Sequence, residues 1–143
     1  MKFTLVVALL SALALPAFAV PGFATYDPVY SNAGTSLSTV SCSNGANGLL
    51  TKGYTTFGSI PSFPNIGAIP GATWNSPLCG TCWSVKYTAP GGGFTTIFMT
   101  AVDAAITYNV SPLTFSKLTN CTGFDTGKVA VDVTQVAASN CGM

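Results

Sequence analysis

Cys79-Gly80-Thr81-Cys82 is the segment of this chain whose residue types and spacing most readily suggest chemistry. Two cysteines at this spacing can form a redox pair, half of a zinc site, or two separate disulfide anchors. The chain has no histidine and no second C-x-x-C, so a tetrahedral zinc site is not expected. No basic residue adjoins the pair to lower a thiolate pKa, which disfavours redox chemistry. The segment is therefore predicted to anchor two disulfides, with Cys121 and Cys141 both open as partners.

Carboxyl groups are the next candidates, and the chain has four aspartates and no glutamate. Glycoside hydrolysis normally requires two carboxyl groups, at about 5 to 9.5 Å. Asp125 lies in a glycine-rich loop and Asp132 on the polar side of a predicted strand, so both are expected to be solvated. Asp27 and Asp103 remain as the only plausible pair. Since Asp27 and its strand neighbour Tyr26 should face opposite sides, one groove carboxylate is expected, which favours binding over hydrolysis.

Aromatic rings beside polar side chains would suit a sugar ligand, because sugar rings present C–H faces and hydroxyls. The candidates from the sequence are Tyr26, Tyr30, Trp74, Tyr108 and Asn109. Trp83 and Phe98 lie in predicted strands and are expected to be core residues, because barrels bury large rings.

The chain's first residues set its compartment. Residues 1–19 contain Lys2, an apolar run and Ala17-Phe18-Ala19, which together are typical of a secretory signal peptide. Residues 20–143 would then form one secreted domain, and its passage through an oxidising compartment would allow disulfides to form. Without Lys2 the remainder has four lysines, four aspartates and zero formal charge. Nucleic acid and anionic membranes are therefore not expected as partners.

The elements that must position these groups are mainly strands and loops. Strands are predicted at residues 23–30, 82–88, 94–103 and 128–136, with a short extended piece at 38–42. Residues 56–77 are dense in glycine and proline and are predicted to be an ordered loop layer without a central strand. Ser111 and Pro112 predict the start of a short helix that ends near Leu118.

Two sequons for N-linked glycosylation occur, at Asn109-Val110-Ser111 and Asn120-Cys121-Thr122. Pro112 follows the first and makes it the poorer acceptor. Asn120 is therefore the glycosylation candidate.

The chain contains, in this order, the motifs Tyr26-Asp27-Pro28-x-Tyr30, Cys42-Ser43-Asn44-Gly45, Phe63-Pro64-x-Ile66-Gly67, Trp74-x-Ser76-Pro77-x-Cys79-Gly80-Thr81-Cys82-Trp83, Val102-Asp103, Asn109-Val110-x-Pro112 and Ser139-Asn140-Cys141. Together these motifs resemble the cerato-platanin family across residues 20–143. The resemblance implies a mainly β protein: a six-stranded double-psi β-barrel, similar to the first domain of expansins, with short helices and long disulfide-tethered loops.

The resemblance also implies which cysteines form disulfides and which residues bind the ligand. Cys42 would pair with Cys79 and Cys82 with Cys141, leaving Cys121 unpaired and able to link a monomer into a dimer. By the same resemblance, the residues that would bind carbohydrate are Tyr26, Asp103 and Asn109, with Trp74 as a weaker addition.

The implied function is a secreted, non-enzymatic binder of chitin or N-acetylglucosamine oligomers, or of cellulose, with expansin-like wall loosening. Elicitation of plant defence through a plant receptor is expected with it, without cofactor or metal. Two alternatives are a self-assembling structural protein of the fungal cell wall or an interface, and a weak glycoside hydrolase.

Overall fold

The computed structural model describes residues 17–143. Residues 1–16, which hold most of the predicted signal peptide, lie outside the described residues. Within the described part, no helix is both long and apolar enough to cross a membrane.

Six strands form a closed barrel in the order β1-β5-β2-β4-β3-β6. Their bounds are β1 Val20–Tyr26, β2 Ile66–Ile69, β3 Cys82–Thr88, β4 Phe94–Ala104, β5 Tyr108–Val110 and β6 Lys128–Val136. Strands β1 and β5, and strands β2 and β4, pair in parallel, whereas the other neighbours are antiparallel. This mixed, closed, mainly β architecture is consistent with a double-psi barrel, as predicted.

The barrel interior follows from residue alternation along the strands. Strand β6 reads Lys-Val-Ala-Val-Asp-Val, and its Val131 and Val133 are buried while Asp132 between them is exposed. Val133 pairs with Val85 of β3, which is also buried. Burial of these apolar side chains inside the barrel stabilises the closed sheet.

Strand β2 corrects one prediction from the sequence. Residues 56–77 were expected to contain no central strand, yet Ile66–Ile69 is fully buried and hydrogen-bonds to β4 on one side and β5 on the other. The strand is only four residues long; Pro64 and Pro70 lie outside it, and Gly67 lies within it, where the pairing with β4 shifts in register.

Two further boundaries differ from the prediction. The first strand was expected to reach residue 30, but it ends at Tyr26, and a short 3₁₀ helix, Pro28–Ser31, follows with Asp27 as its N-cap. Proline lacks the N–H that would continue the ladder, and its fixed φ suits the start of a helix. The expected extended piece at residues 38–42 is instead a 3₁₀ turn, Leu37–Thr39, followed by irregular backbone.

Helix α1, Pro112–Thr119, agrees with the prediction within one residue. The Ser111 hydroxyl accepts a hydrogen bond from the backbone N–H of Thr114 at 3.2 Å, which caps the first turn. Asn120 ends the helix in the left-handed conformation, with φ of 50°, which asparagine tolerates better than most residues. Phe115 anchors the helix on the core.

Both disulfides have the predicted partners. Cys42 is bonded to Cys79 and Cys82 to Cys141, and Cys121 is free and exposed. The two cysteines of the C-x-x-C segment therefore serve different bridges, and those bridges tie an early loop and the C-terminus to the start of β3.

Candidate functional site

Asp103 and Asn109 lie on either side of Ala68 in the barrel wall. Ala68 of β2 pairs with Asp103 of β4 and, on its other edge, with Asn109 of β5. Adjacent strands lie about 4.8 Å apart, so the two Cα atoms are roughly 10 Å apart. Directly paired residues project to the same face of a sheet. Asp103 and Asn109 are partly exposed, whereas Ala68 between them is fully buried.

A register shift in β2 creates this arrangement. Gly67 pairs with Ala101 and Ala68 with Asp103, so Val102 has no direct partner on β2. Without the irregularity, Val102 would stand opposite Ala68 and the carboxylate would point to the other face. The pairing of β2 thus decides which side of the barrel the acidic group faces.

Asn109 belongs to a short polar network on the same face. Its Oδ1 accepts a hydrogen bond from the Thr25 hydroxyl at 3.1 Å, and the Thr25 and Thr107 hydroxyl oxygens are 2.6 Å apart. Thr25 is directly paired with Asn109 across β1 and β5. The row that runs from Asp103 through Ala68 and Asn109 to Thr25 is called the polar row below.

The Asp103 carboxylate is fixed by three donors. Oδ1 accepts from the backbone N–H groups of Ser41 at 3.0 Å and Ala104 at 2.9 Å, and Oδ2 accepts from the Tyr30 hydroxyl at 3.3 Å. A carboxylate offers about four acceptor sites. One acceptor position therefore stays available to a ligand hydroxyl, and the side chain is already oriented before a ligand arrives.

Tyr30 is buried, with 4% of its surface exposed. Burial raises the pKa of Tyr30 well above its usual value, and the negative charge of Asp103, the hydrogen bond to it, and the charge of Asp27 raise it further. Its hydroxyl therefore stays protonated and acts as a donor. The sequence placed Tyr30 among the exposed sugar-binding candidates, and its burial shows that this expectation was wrong.

Tyr108 and Phe98 also differ from their predicted environments. Tyr108 is 9% exposed and its ring lies 5.7 Å from that of Trp83 inside the barrel, so it is a core residue and not an exposed candidate. Phe98 was expected in the core but is 38% exposed. In β4 it falls on the outward side of the alternation, between the buried Ile97 and Met99.

Trp74 is a broadly exposed aromatic residue, with 61% of its surface accessible. Its Nε1 donates to Asn44 Oδ1 at 2.6 Å, which fixes the indole orientation. The loop before it is tied to the polar row through Ser41, whose hydroxyl donates to the Ala72 carbonyl at 2.6 Å while its backbone N–H reaches Asp103. The Cys42–Cys79 bridge adjoins the same loop, since Cys42 Sγ lies 3.6 Å from that carbonyl oxygen.

Tyr26 is placed differently from the other predicted site residues. It pairs with Val110, one position beyond the Thr25–Asn109 pair, so its side chain leaves the strand on the opposite face. Its ring packs against Phe115 and Phe124, with centroids 4.9 Å away in both cases. The structure therefore groups Asp103 and Asn109, attaches Trp74 through Ser41, and separates Tyr26; a sugar contact by Tyr26 stays a prediction.

None of the other three aspartates adds a second carboxyl group to the polar row. Asp27 Oδ1 accepts from the Val29 backbone N–H at 2.9 Å as the cap of a 3₁₀ helix. Asp125 and Asp132 are exposed, as predicted. Among the described residues, no group of three or more histidine, cysteine or acidic side chains could hold a metal ion.

Two clefts in the described surface lie away from the polar row. One, of about 690 Å³, is lined by Phe23, Lys86, Ile106, Tyr108 and Asp132 among others. The other, of about 500 Å³, lies between the β3–β4 hairpin and the end of α1. Neither cleft is lined by a residue of the polar row.

Ser41, Thr25 and Thr107 are site residues that sequence reasoning missed. Their contacts join residues 62 to 84 positions apart, and no local pattern signals such pairs. Tyr30 carried a usable signal, because it belongs to the Tyr26-Asp27-Pro28-x-Tyr30 motif.

A closed barrel with two structural disulfides defines this chain as a small disulfide-braced β-barrel protein, of the kind expected outside the cell. The family model described as Cerato-platanin matches residues 23–143. The chain belongs to the cerato-platanin family.

Several fungal proteins are similar over their whole length. "Allergen Asp f 15" from Aspergillus fumigatus is 42% identical, over 99% of this chain and 97% of that protein. "Cerato-platanin" from Ceratocystis fimbriata f. sp. platani is also 42% identical, over 99% of this chain and 96% of its own length. "Heat-stable 19 kDa antigen" from Coccidioides immitis is 39% identical, over 100% of this chain and 99% of its own length.

Solved structures give the same fold. Cerato-platanin 2 from M. perniciosa has a TM-score of 0.79 and 39% identity, covering 87% of this chain and 100% of that one. The solution structure of the fungal elicitor cerato-platanin has a TM-score of 0.70 and 45% identity, covering 83% of this chain and 95% of that one. The resemblance inferred from the motifs is confirmed.

Proposed function

We propose that this protein is a secreted, non-hydrolytic binder of β-1,4-linked wall polysaccharide, with N-acetylglucosamine oligomers of chitin as the first candidate and cellulose as the second. The observation that carries the proposal is the polar row, in which the partly exposed Asp103 and Asn109 are held by hydrogen bonds on either side of the buried Ala68. Trp74 adds an exposed ring on a loop joined to the same surface.

The chemistry of the row suits neutral sugar hydroxyls. Asp103 retains one acceptor position, and the Asn109 amide nitrogen donates to no described residue while Oδ1 accepts from Thr25. An acceptor and a donor on residues whose Cα atoms are about 10 Å apart can contact neighbouring sugars of an extended chain. Both groups are held by other residues, so little side-chain freedom is lost on binding.

Hydrolysis is disfavoured by the arrangement of carboxylates. A glycosidase needs a second carboxyl group facing the first across the scissile bond, and the other members of the polar row, Ala68, Asn109 and Thr25, carry no carboxyl group. The descriptions of the relatives named above, an allergen, an antigen and an elicitor, do not include a catalytic activity.

Elicitation of plant defence is proposed with less direct support. The structurally similar cerato-platanin is described as a fungal elicitor. The surface on which a plant receptor could act is proposed to be the same wall of the barrel, with the disulfides keeping it rigid outside the cell.

A second candidate function is self-assembly at an interface or in the fungal wall. Its support is the number of large apolar side chains on the described surface. Those more than 45% exposed include Phe23, Val29, Phe94, Ile106 and Leu113. With a formal charge near zero after removal of residues 1–19, little repulsion opposes association.

Titration with N-acetylglucosamine oligomers, followed by NMR, tests the primary proposal. Backbone shifts are expected at Thr25, Ala68, Asp103 and Asn109. Asp103→Asn should weaken binding while Asp125→Asn, an exposed loop change, should not. An absence of shifts along the row would contradict the proposal, and reducing-sugar release abolished by Asp103→Asn would replace it with the hydrolase.

Surface-tension and light-scattering measurements separate the second candidate. Self-assembly through apolar contacts should persist in Asp103→Asn and in the presence of a reductant. Loss of assembly in the reductant would instead assign it to the free Cys121.

A further inference from the structure

The sequon Asn120-Cys121-Thr122 lies at the end of helix α1, beside the smaller of the two clefts described above. All three residues are exposed. The Asn120 side chain makes no hydrogen bond with any described residue, whereas its backbone N–H caps the helix by donating to the Ser116 carbonyl. Its amide is therefore free to carry a substituent without loss of an existing contact.

The other sequon is built into the fold. Asn109 lies in the central strand β5, and its Oδ1 accepts from Thr25. Ser111 is 1% exposed and its hydroxyl is engaged with Thr114. A glycan at Asn109 would also cover the polar row. The two sequons thus differ in structure as well as in the Pro112 that follows the first.

The cleft next to Asn120 is suited to a sugar. It has a volume of about 500 Å³, and its lining residues are Tyr87, Ala89, Pro90, Gly93, Phe94, Thr95, Lys117, Thr119, Asn120 and Thr122. Tyr87 and Thr95 are directly paired and project to the same face of the sheet. Phe94 pairs with Thr88 and projects to the opposite face, where Lys86 Nζ lies 4.3 Å from its ring centroid. A saccharide attached at the cleft wall can therefore pack on the Tyr87 ring and on proline surface.

We propose that Asn120 carries an N-linked oligosaccharide whose innermost N-acetylglucosamine residues lie in the cleft between the β3–β4 hairpin and the end of α1. The donor is a lipid-diphosphate-linked oligosaccharide supplied by the secretory pathway. The Asn120 amide nitrogen forms the bond to sugar C1, the bond from C1 to the phosphate oxygen breaks, and the lipid diphosphate leaves. The amide proton is taken up by the transferase base.

The glycan has a consequence for the neighbouring thiol. Cys121 is exposed, and its Sγ lies 2.9 Å from the Ser116 hydroxyl oxygen. A branched oligosaccharide on the preceding residue obstructs the approach of a second molecule to this sulfur. Glycosylation of Asn120 is therefore expected to keep the protein from forming disulfide-linked dimers.

The modification is tested on protein secreted by a eukaryotic host that glycosylates asparagine. Peptide mapping after enzymatic glycan release should find conversion to aspartate at Asn120 and none at Asn109. Asn120→Gln and Thr122→Ala should both abolish the glycan, and Thr122→Ser should retain it. An unmodified Asn120 in the wild-type protein would overturn the proposal.

Docking in the cleft is tested with two aromatic residues on neighbouring strands. Nuclear Overhauser contacts are expected between the first sugar and the Tyr87 ring. Tyr87→Ala should leave glycan occupancy unchanged but speed glycan release by a glycosidase, whereas Phe98→Ala, which lies outside this cleft, should not speed it. A glycan without contacts to Tyr87, released at the same rate from both variants, would contradict the docking.

The shielding of Cys121 has its own readout on non-reducing gels. Asn120→Gln should raise the fraction of disulfide-linked dimer several-fold under mild oxidation, and the double variant with Cys121→Ser should be monomeric. Equal dimer formation with and without the glycan would exclude the shielding role and leave only the modification.

Discussion

The Tyr30 hydroxyl donates a hydrogen bond to Asp103 Oδ2 over 3.3 Å, joining residues 73 positions apart. Tyr30 follows strand β1, and Asp103 lies near the end of β4. The contact therefore links the buried aromatic layer, where the Tyr30 ring lies 6.0 Å from that of Phe57, to the acidic group of the polar row. It explains how a half-buried carboxylate is oriented without a basic partner.

Tyr30→Phe should destabilise the protein by about 1 kcal/mol, because it removes one long hydrogen bond to a charged group while keeping the ring. It should also weaken oligosaccharide binding, since Asp103 loses one of three donors that orient it. Urea unfolding and calorimetric titration measure the two effects. Tyr54→Phe is the control, because the Tyr54 hydroxyl makes no hydrogen bond to a described residue; equal losses in both variants would contradict the assignment.

Stability should fall at alkaline pH because of Tyr30. Its pKa is raised in the folded state above the usual 10.0 by burial, then by Asp103 and Asp27, so folding favours the protonated phenol. That contribution is complete below about pH 10 and is lost as the pH rises further, when the unfolded chain ionises first. Burial raises the pKa of Tyr108 as well and acts in the same direction.

Urea unfolding between about pH 8 and pH 11 checks this dependence. Tyr30→Phe should show a shallower decline than the wild-type protein, with the remainder due to Tyr108. An identical decline in both proteins would assign the effect entirely to other groups.

Local sequence patterns predicted the elements whose partners are close in sequence or whose ends are chemically marked. Strand β6 alternates valine with polar residues, and its bounds are as predicted. Helix α1 has Ser111 and Pro112 at its start. Strand β2 was missed because four buried residues between glycines and prolines carry no alternation, and only pairing with two distant strands makes them a strand.

The polar row could be predicted only in part. The family resemblance named Asp103 and Asn109, but their position on either side of Ala68 depends on a parallel pair, an antiparallel pair and a shift in register. Those are long-range features with no local signature. Alternation along β1 did indicate that Tyr26 and its neighbours face different sides, and the structure places Tyr26 among Phe115 and Phe124 for that reason.

Gly67→Ala should be among the most damaging single changes. A Cβ at this position would lie 2.1 Å from the Asn109 carbonyl oxygen, so β2 and β5 would have to separate. The expected loss is about 3 kcal/mol, as for overpacking in a core, together with loss of oligosaccharide binding. Gly91→Ala is the control, since no heavy atom lies within 4 Å of its Cβ; a similar loss there would rule out the steric explanation.

The two disulfides should contribute similarly to stability, but only one of them should affect oligosaccharide binding. Their loops span 37 and 59 residues, so removing either bridge by a double serine substitution should cost about 4 kcal/mol in the chain-entropy model. Loss of Cys42–Cys79 should in addition weaken oligosaccharide binding, because that bridge adjoins the loop before Trp74. Oligosaccharide affinity, measured at a temperature where both variants are folded, distinguishes the two bridges. Equal affinities would mean that the loop before Trp74 does not contribute to binding.

Trp74→Ala should separate binding from stability. The indole is 61% exposed, so its removal should change the free energy of unfolding by no more than about 1 kcal/mol, chiefly through the bond to Asn44. An aromatic contact worth about 1 kcal/mol corresponds to roughly fivefold in affinity for the oligosaccharide. Trp74→Phe should recover much of that loss because it keeps a ring without the N–H. Phe98→Ala, which removes an exposed ring from strand β4 instead, should bind normally. Unchanged affinity in Trp74→Ala would remove Trp74 from the site.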